Sequence, residues 1–359
     1  MVEICLDDCP TLPIRQPDFR HCAKQAMARD WTGQRGSPWI GSRGARAGEG
    51  RGQDLTQSVA WVAVDWGTSN LRAWSIGVDG AIVSAAQSEK GMGKLAQSEF
   101  AGALAEIAME LSLPAGPLDV LVCGMAGARQ GWLEAPYLEA PTDLRALARG
   151  AVRPSMPDSP LRVAILPGIC QRQGGQNVMR GEETQLLGLA SLLPDYSGLV
   201  CMPGTHSKWA RLEGTRIENF TTAMTGEMFE LLKTHSVLRH SLNGPLEGPQ
   251  RQAGFHAGAA DGLENPADLL SQLFRVRAGA LLSGREPDWS AGYLSGLLIG
   301  TEIAANRNRI GTDPVPLIGS AGLCALYAQV LDMAGASGRP VDATEVVLAG
   351  LKAARSQIA

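Results

Sequence analysis

From Val59 onward, apolar and polar positions follow strand or helix periods, with glycine and proline marking the breaks. Residues 59–65, 71–77 and 81–87 read as three strands, the last two joined by a Val78-Asp79-Gly80 turn. Phe100, Leu104, Ile107 and Leu111 share one face of a helix predicted at about 97–112. A strand at 118–123 leads into the loop G-M-A-G and a proline-containing stretch through Pro141. L-R-V-A-I-L-P-G at 161–168 predicts a strand and its stop, and 181–193 a helix ended by Pro194. A new strand opens at Leu199. Helices are expected at about 224–233, 253–261, 266–281 and 289–306, then a short strand at 315–319 and a final pair of helices.

Two segments match one another. V-A-V-D-W-G-T-S-N-L-R and L-V-C-M-P-G-T-H-S-K-W are each an apolar strand, a Gly-Thr turn and an outgoing strand, with Gly67 matching Gly204 and Thr68 matching Thr205. A repeat so widely spaced excludes a solenoid array and suits two similar domains facing each other. Strands followed by helices, twice, predict an α/β protein with domains at 58–196 and 197–359.

Residues 1–57 are of another kind. Between Arg15 and Arg51 there are eight Lys/Arg against three acids, and Gly33–Gly52 has almost no aliphatic residues. Such a segment buries too little apolar surface to offset its ordering entropy, so it reads as a disordered or non-native extension. A basic tail for an acidic partner is the other reading. Translation starting near Val59 is a further expectation, and an intact mass of the native protein that includes Met1 overturns it.

Composition narrows the function. The 359 residues carry a formal charge of −4 and few aromatics, which gives no electrostatic footprint for nucleic acid. No apolar run is long enough to span a membrane, and the N-terminus lacks the apolar core of a signal peptide. Seven cysteines without a C-x-x-C pair suggest reduced cytosolic thiols, most of them small core residues. Cys5, Cys9, Cys22 and His21 have no usual zinc spacing.

The turns carry the chemistry. A glycine turn can direct backbone N–H groups at phosphate, hydroxyls add donors, and a preceding carboxylate can hold Mg²⁺ through its waters. Asp65, Gly67, Thr68, Ser69 and Asn70 supply these parts in order, although a strand ending in Asp-x-Gly is also an ordinary hairpin. Gly204, Thr205, His206, Ser207 and Lys208 repeat the turn with a cation, and Met202 stands where Asp65 stood. A third turn, Gly319-Ser320-Ala321-Gly322, lies between a strand and a helix, where adenine or phosphate can meet a helix N-terminus. Plain packing is the alternative for each turn. Together the three favour a nucleotide held between domains.

The strings D-W-G-T-S-N-L-R-A-W, G-M-A-G-A-R-Q-G-W, E-A-P-Y-L, N-V-M-R-G-E-E-T-Q-L-L-G, M-P-G-T-H-S-K-W, M-T-G-E-M and S-G-L-L-I-G-T-E-I make the resemblance specific. From about residue 60 to its end the chain resembles the 2-dehydro-3-deoxygalactonokinase family, of the sugar-kinase, heat-shock-protein and actin superfamily. The resemblance implies a two-domain actin-like ATPase (ribonuclease H-like) fold. It also implies Mg-ATP-dependent phosphorylation of the C6 hydroxyl of 2-dehydro-3-deoxy-D-galactonate. A kinase of the same fold for another sugar or keto-deoxy sugar acid, a non-catalytic nucleotide-binding sensor, and a phosphatase of the same superfamily are the alternatives. Small-molecule partners, a cytoplasmic location and a possible homo-oligomer go with that reading. The nucleotide elements map onto 65–70, 204–208 and 319–322, the last departing from the family's Gly-Thr-Ser-type run.

A carboxylate must accept the hydroxyl proton. Gly181-Glu182-Glu183 stands where related kinases place an Asp after a glycine. Adjacent helix residues diverge by about 100°, so one glutamate faces the cleft and the other complements the helix N-terminus. Position after the glycine favours Glu182; dipole complementation by both is the alternative. For the substrate carboxylate, Arg180 and Arg129 are candidates, each with a surface or structural ion pair as its alternative. Asn177, Gln130 and Trp132 are candidates for hydroxyl and chain contacts. K-G-M-G at 90–93 is a substrate loop or a turn before the helix, and His206 is a phosphate donor rather than a base.

Overall fold

The two matching segments fold into the hearts of two sheets. β1 (Val59–Trp66) pairs antiparallel with β2 (Leu71–Gly77), which pairs with β3 (Ile82–Ser88). On the other side of β1 lie β4 (Leu118–Gly124) and β7 (Leu161–Ile165), both parallel to it, giving the order β3-β2-β1-β4-β7. Between those two come β5 (Tyr137–Glu139) and β6 (Thr142–Asp143), and after them β8 (Gly168–Gln171) and β9 (Asn177–Met179). The second sheet repeats the first. β10 (Ser197–Met202), β11 (Ser207–Glu213) and β12 (Arg216–Ala223) form the antiparallel triplet. β13 (Val315–Gly319) and β14 (Gly338–Asp342) add in parallel beside β10. β6 joins the far edge of this sheet beside β12, while β5, β8 and β9 make a small sheet of their own.

This doubled topology is the two-domain actin-like ATPase fold, seen here in a computed structural model that describes residues 58–157 and 159–358. All of them lie within one compact unit, Leu55–Ala359. The expectations for residues 1–57, including the zinc spacing, fall outside the described residues.

Side-chain alternation fixes the layers. Along β1, Val62, Val64 and Trp66 face α1 (Phe100–Met109), while Trp61 and Ala63 face the opposite way. That inner face meets α2 (Glu182–Leu192) and α8 (Ala343–Arg355), which also cover Val200 and Met202 of β10. Leu199 and Cys201 turn to the outer layer of α4 (Arg251–Glu264), α6 (Pro287–Asn306) and α7 (Ala321–Met333). α3 (Thr225–His235) and α5 (Leu269–Ser283) flank that layer. Cys123, Cys170, Cys201 and Cys324 are free and buried, as small core residues.

The predicted strands and helices fall where expected, with three corrections. The 97–112 segment begins with a 3-10 turn and is α-helical only over Phe100–Met109. The segment 266–281 likewise opens with a 3-10 turn. The final helices are separated by β14, whose G-R-P-V-D lacks the β-branched run of a strand and is held by pairing with β13. The short strands β5, β6, β8 and β9 and the full-length β12 were also beyond the periodic signal.

α4 and α6 cross unusually closely. Gly254, Gly258 and Gly262 on one and Gly292, Gly296 and Gly300 on the other each abut the facing backbone, leaving no room for a Cβ. This four-residue ladder buries nearly all of α6. Gly258→Ala is expected to destabilise by about 1–3 kcal/mol, because overpacking exceeds the ~1 kcal/mol gained in helix propensity. Gly102→Ala, in an exposed part of α1 with open space for the methyl, should stabilise instead. Urea midpoints of the two variants check both signs.

Candidate active site at two facing turns

The β1–β2 turn is held by a second loop. Gly67 N–H donates to Asn70 O at 2.8 Å, closing the turn. Met92 N–H then donates to Gly67 O at 3.0 Å and Gly93 N–H to Thr68 O at 2.9 Å. Gly91 lies directly on the backbone of Thr68–Asn70, where a Cβ would overlap it. Trp66 Nε1–H anchors the loop through Lys90 O at 3.0 Å. The K-G-M-G segment is thus the buttress of the turn, and Thr68, Ser69 and Asn70 project outward exposed.

The β10–β11 turn is built the same way. Glu227 N–H donates to Thr205 O at 3.0 Å, and Gly226 abuts the backbone of Gly204 and Thr205. Gly319, at the end of β13, closes against Pro203, which brings the third turn alongside the second. Ser320 caps α7 and Gly322 is exposed with open space around it.

Cavities join these parts. One of about 650 Å³ is lined by Asp65, Gly67–Asn70 and Arg72 and, from across, by Thr205. A second, of about 550 Å³, starts at Gly204 and Thr205 and runs between α3, α6 and α7, with Phe229, Leu298, Ile299 and Leu326 as apolar walls. A third, of about 570 Å³, has His206 and Lys208 on one side and Tyr137, Gln171, Arg172 and Asn177 on the other. Thr205 therefore belongs to two cavities, and its own turn borders all three.

Charges set the polarity. Asp65 forms an ion pair with Arg72, directly opposite it in the β1–β2 register, and Arg72 also donates to Thr344 Oγ1 at 3.2 Å. Lys208 is the second residue of β11 as Arg72 is of β2, yet it is buried and pairs with Glu182 Oε1 at 3.4 Å, with His206 O at 3.2 Å as a second acceptor. That ion pair ties the second sheet to the N-terminus of α2. His206 itself pairs with Glu227.

The two adjacent glutamates differ sharply. Gly181 has φ +109°, a conformation open to glycine, and its Cα side faces Gly124, which in turn lies next to Asp65. This stacking sets the start of α2 beside the Asp65 turn. Glu182 is partly exposed and accepts Arg180 N–H at 3.0 Å besides meeting Lys208. Glu183 is fully buried, accepting Gly181 N–H at 2.7 Å and the Thr184 hydroxyl at 3.1 Å. Burial, reinforced by the charge of Glu182, pushes its pKa up to about 7.

The remaining predicted residues are dispersed. Asn177 lines the third cavity. Arg180 is buried, stacks on the Tyr137 ring at 4.3 Å and donates to Ala135 O at 2.8 Å, while its Nε and Nη1 have no partner among the described residues. Ser207 turns inward, with its hydroxyl on Tyr327 Oη at 2.9 Å, so it does not face the turn's outer side. Trp132 does not reach the cavities: its indole is buried in an aromatic cluster with Trp66 and Phe100. Arg129 and Gln130 are exposed, Arg129 pairs with Glu134 at 3.5 Å, and neither lines these cavities. Sequence reasoning missed Arg72, although a hairpin closed at 67–70 places it opposite Asp65. It also missed Thr222, whose unpartnered hydroxyl lies at the third cavity.

The sequence profile of the 2-keto-3-deoxy-galactonokinase family matches residues 65–354. The chain belongs to that family. It is 45% identical over 306 residues to the Rhizobium meliloti (strain 1021) protein named "Probable 2-dehydro-3-deoxygalactonokinase DgoK1", covering 85% of this chain and 99% of that one. It is 37% identical over 306 residues to the 2-dehydro-3-deoxygalactonokinase of Escherichia coli (strain K12), covering 84% and 99%. The structure described as "Crystal structure of a putative 2-dehydro-3-deoxygalactonokinase protein from Sinorhizobium meliloti" superimposes with a TM-score of 0.77 at 45% identity, over 83% of this chain and 96% of that one. Both turns and the Glu182–Glu183 pair lie within the family match.

Glu183 gives a pH signature. Its native pKa lies above the unfolded value, so its protonated form stabilises the fold fully below about pH 4.5, and this is lost as pH rises through about 7. At ~1.4 kcal/mol per unit, the loss is about 3 kcal/mol. Glu183→Gln should match wild type in unfolding free energy near pH 4.5 and exceed it above pH 7. Parallel pH curves would refute the assignment.

Proposed function

We propose that this protein transfers the γ-phosphoryl group of ATP to the C6 hydroxyl of 2-dehydro-3-deoxy-D-galactonate, releasing ADP and the 6-phosphate. The observation that carries the reading is the Glu182–Lys208 pair, which sets a carboxylate and a cation beside the two buttressed glycine turns. The lobes 58–196 and 197–359 form the walls of the cleft. In it the apolar cavity between α3, α6 and α7 takes the nucleoside. The turns at 67–70 and 204–206 take the phosphates, and the cavity at Lys208 and Asn177 takes the sugar acid.

Phosphoryl transfer depends on positioning and on charge stabilisation more than on covalent help from the protein. The turns are held before any ligand arrives, so little reorganisation is needed to direct their N–H groups at developing charge. Glu182 is the base: it is the solvent-accessible member of the pair, whereas Glu183 supports the helix start from the core. Lys208 orients Glu182 and stands ready for the transferred phosphoryl group. The two unpartnered nitrogens of Arg180, Nε and Nη1, cost roughly 1–3 kcal/mol each while unpaired, and a substrate carboxylate near Tyr137 would relieve that cost.

Mg²⁺ belongs to the same reading. Asp65 offers one partly exposed carboxylate, already engaged by Arg72. Among the described residues no group of three or more His, Cys, Asp or Glu is arranged to hold a metal. That donor set suits an ion bound chiefly by nucleotide phosphates and water, with one protein carboxylate beyond the waters. When bound, the ion neutralises phosphate charge. No helix among the described residues is long and apolar enough to cross a membrane. We place the reaction in the cytoplasm, with its ATP.

A coupled ADP-release assay tests the proposal. Release is expected with 2-dehydro-3-deoxygalactonate, with little from the gluconate epimer and none without sugar acid. Equal release without sugar acid would make the protein a hydrolase and overturn the reading. Glu182→Gln should lower kcat by roughly 10²–10⁴-fold in the protein that remains folded, and should also lower the thermal midpoint, because Lys208 loses its ion-pair partner. If Glu183→Gln proves the more damaging to kcat, the base is misassigned.

A further inference from the structure

We infer that α5 is the contact helix of a homodimer, packing antiparallel against α5 of a second copy. Its inner face is used: Leu273 and Val276 are buried with Leu294, Leu297 and Leu298. Its outer face is not. Leu270 is 84% exposed, Phe274 59%, Leu281 64% and Leu282 86%, a concentration of large apolar side chains that no other helix among the described residues presents. Contiguous exposed apolar surface of this kind marks an interaction site.

Leu270, Phe274, Arg277 and Leu281 recur at i, i+4, i+7 and i+11, the spacing of a coiled-coil seam, within an arc of about 60° on the helix. Arg277 has no hydrogen bond or ion pair among the described residues, although it stands in the middle of this stripe.

The stripe is self-complementary when the helix is reversed. A two-fold axis between positions 275 and 276 sets Leu270 against Leu281 of the second copy and Phe274 against its Arg277. The first pair buries apolar surface; the second sets a guanidinium on an aromatic face as a cation–π contact. Charge follows the same symmetry. Asp268 is exposed at the N-terminus of the helix, and Arg285 is exposed just past its C-terminus, stacked on Trp289 at 4.4 Å. In the antiparallel register the Arg285 end of each copy's helix meets the Asp268 end of the other, and the two helix dipoles oppose. A parallel arrangement would align acids with acids. These features select a second copy of this chain as the occupant. None of the outer-face residues of α5 lines the cavities described above, so dimerisation and turnover are separable.

Sedimentation velocity of the full chain at micromolar concentration should give twice the 37.9 kDa chain mass. Phe274→Asp should raise the dimer dissociation constant at least ~30-fold, with kcat and thermal midpoint of the monomer unchanged. Register is tested by mixing Leu270→Cys and Leu281→Cys proteins under mild oxidation. The mixture should form a 270–281 disulfide absent from wild type, and neither protein alone should link through its new cysteine, since like positions lie about 16 Å apart along the axis. A monomer throughout, a dimer indifferent to Phe274→Asp, or a 270–270 link would each overturn the proposal. A stable complex with a different protein through this face would do so too.

Discussion

α6 approaches α4 at a distance that only glycine permits, and the second half of the protein depends on that approach. Because backbone meets backbone, α6 is buried along almost its whole length and can carry polar groups inward with fixed positions. Glu302 is the most consequential. Its carboxylate accepts from Trp209 Nε1 and Tyr327 Oη, both at 2.7 Å, and from the Thr225 hydroxyl, tying β11, α7 and the start of α3 to one point. Burial pushes its pKa up, while these three donors pull it down. The walls of the cavity between α3, α6 and α7 are among the elements that this carboxylate joins. A side-chain network of this kind is rigid only when all its members are satisfied, and here they are.

Repetition of the sheet explains why there are two buttressed glycine turns, only one of them preceded by a carboxylate. Each β-hairpin starts its second strand near a cation, Arg72 or Lys208, and each turn is buttressed by a glycine-containing loop from the next segment. The copies diverge in their carboxylates. Arg72 finds Asp65 within its own hairpin, whereas Lys208 faces Met202 there and instead reaches Glu182 on α2. The substitution of one acid by methionine thus turns a local ion pair into a link between sheets.

Glu182 and Glu183 illustrate how one peptide unit separates two roles. The helix turn places them about 100° apart. α2 lies between the two sheets, so one direction points into the cleft and the next into the core. Gly181 makes this possible by a left-handed backbone that brings the helix start against Gly124. An accessible first carboxylate and a buried second follow from packing around an otherwise symmetric pair.

The alternation of β1 and β10, the helix periods and the matched Gly-Thr turns were legible because burial imposes periods of 2 and 3.6 wherever a chain folds. Those features sufficed for the α/β class, the doubled topology and the positions of both turns. The family resemblance rested on longer strings, and the profile match over 65–354 agrees with it. β14 and the short strands were not legible, because pairing partners rather than propensity hold them. Nor was the fate of individual polar residues. Trp132 went into an aromatic core, Ser207 toward Tyr327, and K-G-M-G, read as a substrate loop or a turn before the helix, went behind the 67–70 turn as its buttress. Local sequence sets which groups a segment carries and how its backbone runs. Which of those groups meets the cleft is decided by elements far away in the chain, since burial and ion pairing depend on neighbours that only the tertiary structure supplies.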